Sequence, residues 1–237
     1  MDVIQPAETV KPRGPAAAKV VSHNLNGQRL GRKGRDTRDR IIAATNELLA
    51  GSLDAPISLS AVARQASLGM TSLYVYFTDL TELLLAVLEP LSADAEASYL
   101  RHLRERWPDE NLNVHCLEFV TALHGFWHRN SMILHLRNSM ADQRDERMMV
   151  HRVHAAQPVI GLLISQMDQD PGVPGTPAAG MATVLYTGIE RVVTIATDRI
   201  LPTVLPGAFS PNVRNFLRAE SRLLELGIRE FRAEAKN

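Results

Sequence analysis

Residues 38–84 read RDRIIAATNELLAGSLDAPISLSAVARQASLGMTSLYVYFTDLTELL, and the spacing of their apolar positions decides the fold. Ile41, Ile42, Thr45, Leu48 and Leu49 recur at i, i+1, i+4, i+7 and i+8, one face of a helix that Gly51 ends. Asp36 is expected as its N-cap, with Asp39 placed to favour the positive helix end. After a loop holding Pro56, Ser58 caps a short second helix whose buried stripe is Leu59, Val62, Ala63 and Ala66. Ser67-Leu68-Gly69 breaks it, and a third helix from about Met70 to Phe77 buries Leu73 and Phe77. Thr78-Asp79 opens a fourth, where Asp79-x-x-Glu82 makes a capping-box-like start ahead of Leu83, Leu84, Val87, Leu88 and Leu91. Pro90 interrupts that pattern, and its missing N–H must end or kink the helix there.

Two short helices joined by a tight turn make a helix-turn-helix, in which the second helix enters the major groove of DNA. Groove entry needs small polar side chains and hydroxyls on the outward face, and Thr71, Ser72, Tyr74 and Tyr76 supply them. Hydroxyls at a helix start can hydrogen-bond phosphate oxygens, aided by the exposed N–H groups there. The same spacing also suits a helical hairpin whose two tyrosines merely pack.

Outward from this stretch, charge separates the chain. Its 26 Lys+Arg balance 26 Asp+Glu, but residues 1–77 hold 10 against 6 and the remainder 16 against 20. Arg29, Arg32, Lys33, Arg35, Arg38 and Arg40 cluster within twelve residues. A basic front on an acidic body points to a polyanionic partner for the front alone. Residues 1–34, rich in Pro, Gly, Ala and basic residues without a hydrophobic period, read as a disordered basic arm. The helix-turn-helix domain is then 35–82, and 83–237 forms a second helical domain.

Downstream, helical periodicity marks segments near 111–128, 130–141, 143–168, 177–200 and 212–234, and no stretch alternates as a strand would. The fold class is all-α. The longest apolar run, Pro158–Ile164, has seven residues, far short of the roughly 20 that cross a bilayer, so no membrane partner is expected. The N-terminal MDVIQPAETVKPRG lacks the apolar stretch of a secretory signal, and the single Cys116 fits a reducing cytoplasm.

Residues 38–84 resemble the DNA-binding domain of the tetracycline-repressor (TetR) family of bacterial transcription regulators. The matching residues are Ile42-x-Ala44, Ser58 with Val62-Ala63 and Ala66, and Leu73-Tyr74-x-Tyr76-Phe77 followed by Asp79 and Leu83-Leu84. Trp127, Leu134, Arg137-Asn138 and Ala141-Asp142 resemble one branch of the family's ligand-binding region. The resemblance implies a homodimeric repressor on a pseudo-palindromic double-stranded DNA operator, released by a small hydrophobic or amphipathic effector. It implies base and backbone contacts at Thr71, Ser72 and Tyr74, a backbone contact at Tyr76, and approach to phosphate at Ser58 and Ser60. Two departures stand out. The turn glycine is Ser67, with Gly69 before the third helix, and the lysine that usually opens the fourth helix is Leu80. Arg32, Lys33 and Arg35 are expected to compensate as a flexible arm reaching phosphate or the minor groove.

In that second domain the resemblance implies a central effector cavity, and Phe119, Leu123, Phe126, Trp127 and Met132 are its candidate walls. His115, His135, Met148, His151 and Tyr186 complete the candidate set, supplying most of its polar groups. Each would serve equally as plain core. The last two helices are the expected dimer surface, through Ala178, Ala182, Leu185, Ile189, Val192, Val193 and Ala196 on one and Val213, Phe216, Leu217, Leu224 and Ile228 on the other. An intramolecular core would explain those stripes too. His124-x3-His128 and His151-x2-His154 have chelating spacings, yet no carboxylate completes a compact motif, so neither metal nor cofactor is assigned. No nucleophile elbow, phosphate loop or dinucleotide fingerprint occurs, and no catalytic residue is expected. The competing class is an all-α ligand-binding or scaffolding protein whose N-terminal three-helix unit contacts other proteins.

Overall fold

A computed structural model describes residues 31–51, 57–204 and 212–234, and among them every regular element is helical. The first helix, α1 (Arg32–Ala50), starts four residues before the expected Asp36 cap, with Gly31 extended at its N-cap. Its first turn, Arg32-Lys33-Gly34-Arg35, holds no apolar residue, so no hydrophobic period announced it. Ile41, Ala44, Thr45 and Leu49 are buried, as the helical stripe requires, and Thr45 satisfies its hydroxyl on the Ile41 carbonyl at 2.8 Å. Then come α2 (Leu59–Gln65) and α3 (Met70–Tyr74), the latter shorter than its sequence pattern suggested. With α1 they enclose a small core of Ile41, Ala44, Val62, Ala63, Leu73 and Phe77.

The next helix, α4 (Leu80–Leu88), belongs to two cores at once. Leu83 completes the small N-terminal core, while Leu84, Val87 and Leu88 enter the large one that fills the body. Asp79 caps α4 by accepting the Glu82 N–H at 2.8 Å, and the Glu82 carboxylate reaches back to the Thr78 N–H and hydroxyl, both at 2.7 Å. The capping box is thus present, displaced by one residue. Pro90 ends α4 as its missing N–H demands, and α5 (Leu91–Ser98) follows.

The body continues through a tight helical turn, Leu100–Leu103, and then α6 (Leu112–Arg129), α7 (Ser131–Asp142) and α8 (Glu146–Gln166). It closes with α9 (Pro177–Ala196), the short α10 (Leu201–Val204) and α11 (Val213–Glu234). Asp145 caps α8 and Thr176 caps α9, where Pro177 takes the first helical position at no hydrogen-bond cost. α11 lies against α6 and α9, and α8 against α7 and α9. The crossing of α9 and α11 is close enough that a Cβ at Gly227 would sit 2.8 Å from Leu185 Cδ1.

This packing corrects one expectation. Ala178, Ala182, Ile189 and Val193 on α9, with Leu217, Leu224 and Ile228 on α11, are buried within the protomer. A broad apolar face first serves the helix's own fold. What the two helices leave exposed is Val184, Leu223 and Leu226, together with Phe216, which does belong to the expected surface. Among the described residues no helix is long and apolar enough to cross a membrane.

Candidate nucleic-acid interface and effector cavity

The turn between α2 and α3 is held by two backbone bonds, Ser67 N–H to the Arg64 carbonyl at 3.1 Å and Leu68 N–H to the Ala63 carbonyl at 2.8 Å. That pairing is a Schellman closure, which needs a left-handed residue just past the cap. Ser67 occupies it at φ 53°, so the side chain tolerates a conformation glycine would adopt freely. Leu73 and Phe77 then lock α3 to the core, and Thr71, Ser72 and Tyr74 face outward and exposed. Tyr76 is half-buried, past the end of α3, and packs on the N-terminal core. Ser58 is engaged in the α2 cap: its Oγ accepts the Ala61 N–H at 3.2 Å and lies 3.1 Å from the exposed Ser60 Oγ.

Arg32, Lys33 and Arg35 project from the opening turns of α1, which corrects the flexible-arm expectation for these three residues. The remainder of the expected arm, 1–30, lies outside the described residues. Arg38, unassigned from sequence, sets its guanidinium 5.3 Å from the Phe77 ring centre and so ties α1 to the end of the recognition unit.

A cavity of about 130 Å³ opens in the body beside α4 and α5. Leu88, Leu91, Ala95 and Leu100 form one side, and Phe126, Trp127 and Leu134 another. Pro158 interrupts α8 at its wall, removing the N–H that would have bonded the His154 carbonyl. The polar groups are Ser92, Tyr99, Arg137, His151, His154, Tyr186 and Glu190. Arg137, 4% exposed, donates from Nε and Nη2 to Asn138 Oδ1 and from Nη2 to Glu190 Oε1 at 3.4 Å, and its guanidinium lies over Trp127. Burial pushes the Glu190 carboxyl up against the pull of Arg137. Burial also pushes Tyr99 up to about 12 and Tyr186 well above its ordinary value, so both hydroxyls stay protonated. Burial, then the charges of Arg137 and His154, push His151 down to about 4, and its Nδ1 is buried without a hydrogen-bond partner.

No family model and no curated protein matches the chain. Among solved structures it is similar to a TetR family transcription regulator from Marinobacter aquaeolei VT8, at a TM-score of 0.51 and 18% identity. The match covers 81% of this chain and 98% of that one. The chain has the TetR fold.

Leu80, where the resemblance implies a lysine, rests half-buried against the body core. Of the residues expected at the cavity, Phe126, Trp127, His151 and Tyr186 meet there. The others lie elsewhere. Phe119, Leu123 and Met148 are fully buried core, and Met132 packs on that core from outside. His115 stacks on Trp107 with ring centres 5.9 Å apart, and His135 Nε2 lies 3.3 Å from Thr197 Oγ1. Arg137, Glu190, Tyr99 and His154 were missed as cavity residues. The resemblance fragment marked Arg137 and the His151-x2-His154 spacing marked His154, neither of them as a cavity group. Cys116 is buried, and burial lifts its thiol to about 12, far from a nucleophile's range. Among the described residues no cluster of three His, Cys, Asp or Glu side chains is placed to hold a metal ion.

Among the described residues, two side-chain links join α4 to the cavity helix α8. Thr81 donates to Asp145 Oδ2 at 2.6 Å, and Arg147 donates to Asp79 Oδ1 at 3.0 Å. Both tie the first turn of α4 to the start of α8, about one helical turn before His151.

Proposed function

We propose that the chain is a homodimeric, sequence-specific DNA-binding transcription regulator of the cytoplasm, a repressor released from a pseudo-palindromic operator when a small effector fills its cavity. The observation that carries this is the α2–turn–α3 unit: Leu73 and Phe77 fix α3 in place while Thr71, Ser72 and Tyr74 stand free on its outward face. Hydroxyls on a rigid, protruding helix suit base edges and phosphates in a major groove. Arg32 and Lys33 on α1 supply exposed positive charge beside it. The fold likeness to a protein described as a transcription regulator agrees.

Dimerisation is supported by Val184, 69% exposed on α9, and Leu223 and Leu226, about half exposed on α11. Two copies joined there by a two-fold axis present two recognition helices to two half-sites. The test is selection of bound genomic fragments by the purified protein, followed by footprinting at two salt concentrations. A protected pseudo-palindrome is expected, with affinity falling on a log–log slope of about −0.9 per neutralised phosphate. Weak retention without sequence preference would overturn the proposal.

A further inference from the structure

The cavity's chemistry narrows the class of its occupant, and the inference rests on the regulator proposal only for the consequence of binding. A volume of about 130 Å³ is close to that of an engineered apolar cavity of roughly 150 Å³ that binds benzene. It therefore takes one ring with a small substituent. The apolar wall is generous, from Leu88, Leu91 and Leu100 to Phe126. The polar groups lean toward donors: Arg137, Tyr99 and Tyr186 have donors to spare, while His151 Nδ1 donates or accepts according to its tautomer and Ser92 and His154 complete the polar lining.

Arg137 uses Nε and Nη2, while Nη1 makes no hydrogen bond among the described residues. The hydroxyls of Tyr99 and Tyr186 likewise have no partner there, and both line the cavity. Two N–H groups and two O–H groups are thus available, and a carboxylate is acceptor-only with about four lone-pair sites. Among the described residues, the one carboxylate within salt-bridge reach of the buried guanidinium is Glu190, held through one long contact of 3.4 Å. A cation would meet Arg137 directly, and a neutral phenol would leave most of the donors idle.

We propose that the effector is a small aromatic or alicyclic monocarboxylate, its carboxylate held by Arg137 with Tyr99 and Tyr186, its ring in the apolar part of the cavity beside Phe126 and Trp127. Glu190 then competes with the ligand for Arg137. Burial already disfavours its ionised form, so the cavity can accept a second carboxyl group as Glu190 gains a proton.

The test uses the full chain without DNA and benzoate, phenol and benzylamine as probes, measured by isothermal titration calorimetry. Benzoate is expected to bind at least tenfold more tightly than phenol, and benzylamine not at all. Arg137→Gln should weaken benzoate more than tenfold, with Arg137→Lys recovering part of the loss. Glu190→Gln, which removes the competitor, should tighten benzoate several-fold, and it reads the site even where the Arg137 variants fail to fold. Phenol outbinding benzoate, or a Glu190→Gln chain that binds benzoate no better than the parent, would overturn the proposal. Calorimetry needs no operator, so the absence of specific DNA binding would defeat the regulator proposal and leave this one standing. Operator binding without any benzoate binding would do the reverse.

Discussion

Tyr74→Ala separates recognition from folding more cleanly than any other single change in the recognition unit. Tyr74 is 49% exposed on α3 and belongs to neither core, so its truncation should move stability by no more than about 0.5 kcal/mol. At an operator, losing one base-directed contact costs about 1–3 kcal/mol. A two-fold dimer makes that contact twice, which gives about 2–6 kcal/mol, or roughly thirtyfold to twenty-thousandfold in affinity. No charge is removed, so binding to random duplex and the slope against salt should stay within about twofold of the parent. The assay is fluorescence anisotropy with the footprinted operator and a scrambled duplex over a series of salt concentrations, alongside thermal denaturation. Leu73→Ala is the contrasting control: Leu73 is 0% exposed, and its loss should cost about 2–5 kcal/mol of stability. A folded Tyr74→Ala protein that keeps operator affinity within threefold would refute the placement of α3 in the groove. So would equal losses on operator and scrambled DNA.

Ser67→Gly should stabilise the protein by up to about 1 kcal/mol, since relief of a left-handed serine worth about 1–2 kcal/mol exceeds the added chain entropy of glycine; a lower denaturant midpoint would contradict this. Arg232 is 2% exposed and donates to the Gln166 and Trp107 carbonyls at 2.7 and 2.9 Å and to the Asp109 carboxylate. Arg232→Met should therefore cost about 3–5 kcal/mol and lower Tm by roughly 6–20 °C, and a shift under 2 °C would refute it. Acidification from pH 6.5 to 4 makes the unfolded chain take up a proton that folded His151 refuses, so stability falls as pH falls through that window. His124 and His135, also pushed down by burial, act in the same direction, while Glu190 and Glu220, pushed up, act oppositely. The His151→Asn variant isolates one contribution: its stability should decline less across the window than the parent's, and identical profiles would refute the role of His151.

Periodicity made the helices legible because burial imposes it: most of the stripe residues of α1 and α11, such as Ile41, Leu49, Leu217, Leu224 and Ile228, end up inside. It said little where a helix begins without apolar residues, as at Arg32, or where a proline leaves a short remnant, as in α5. The cavity was half legible for a related reason. Phe126, Trp127, His151 and Tyr186 could be marked as apolar or aromatic, but Phe119 and Met148 carry the same marks and are solid core. Which side of a helix faces a void depends on packing that no single periodicity records. Arg137 and Glu190 were hidden because charged helix residues ordinarily face water, and only the tertiary packing of α7 on α9's neighbourhood buries them.

Release of DNA requires that an occupied cavity prefer a different arrangement of α4, and the molecule offers two levers of unequal strength. The Arg147–Asp79 pair has both side chains nearly half exposed, and such pairs are worth only about 0–1 kcal/mol. Thr81 is 5% exposed, and its hydroxyl bonds an ionised Asp145, an arrangement worth about 1.5–3 kcal/mol. That matches the 1–3 kcal/mol typical of coupling between two sites. Thr81→Val keeps the buried shape and leaves Asp145 capping α8 through the Met148 N–H, so it removes the lever without removing the helix. With benzoate as effector, Thr81→Val should lose most of the parent's effector-induced drop in operator affinity, and Arg147→Gln should keep most of it. Equal responses in parent and Thr81→Val would mean that the signal runs instead through apolar packing, because Leu84, Val87 and Leu88 of α4 share the body core with the apolar residues of the cavity wall, Leu88 itself among them.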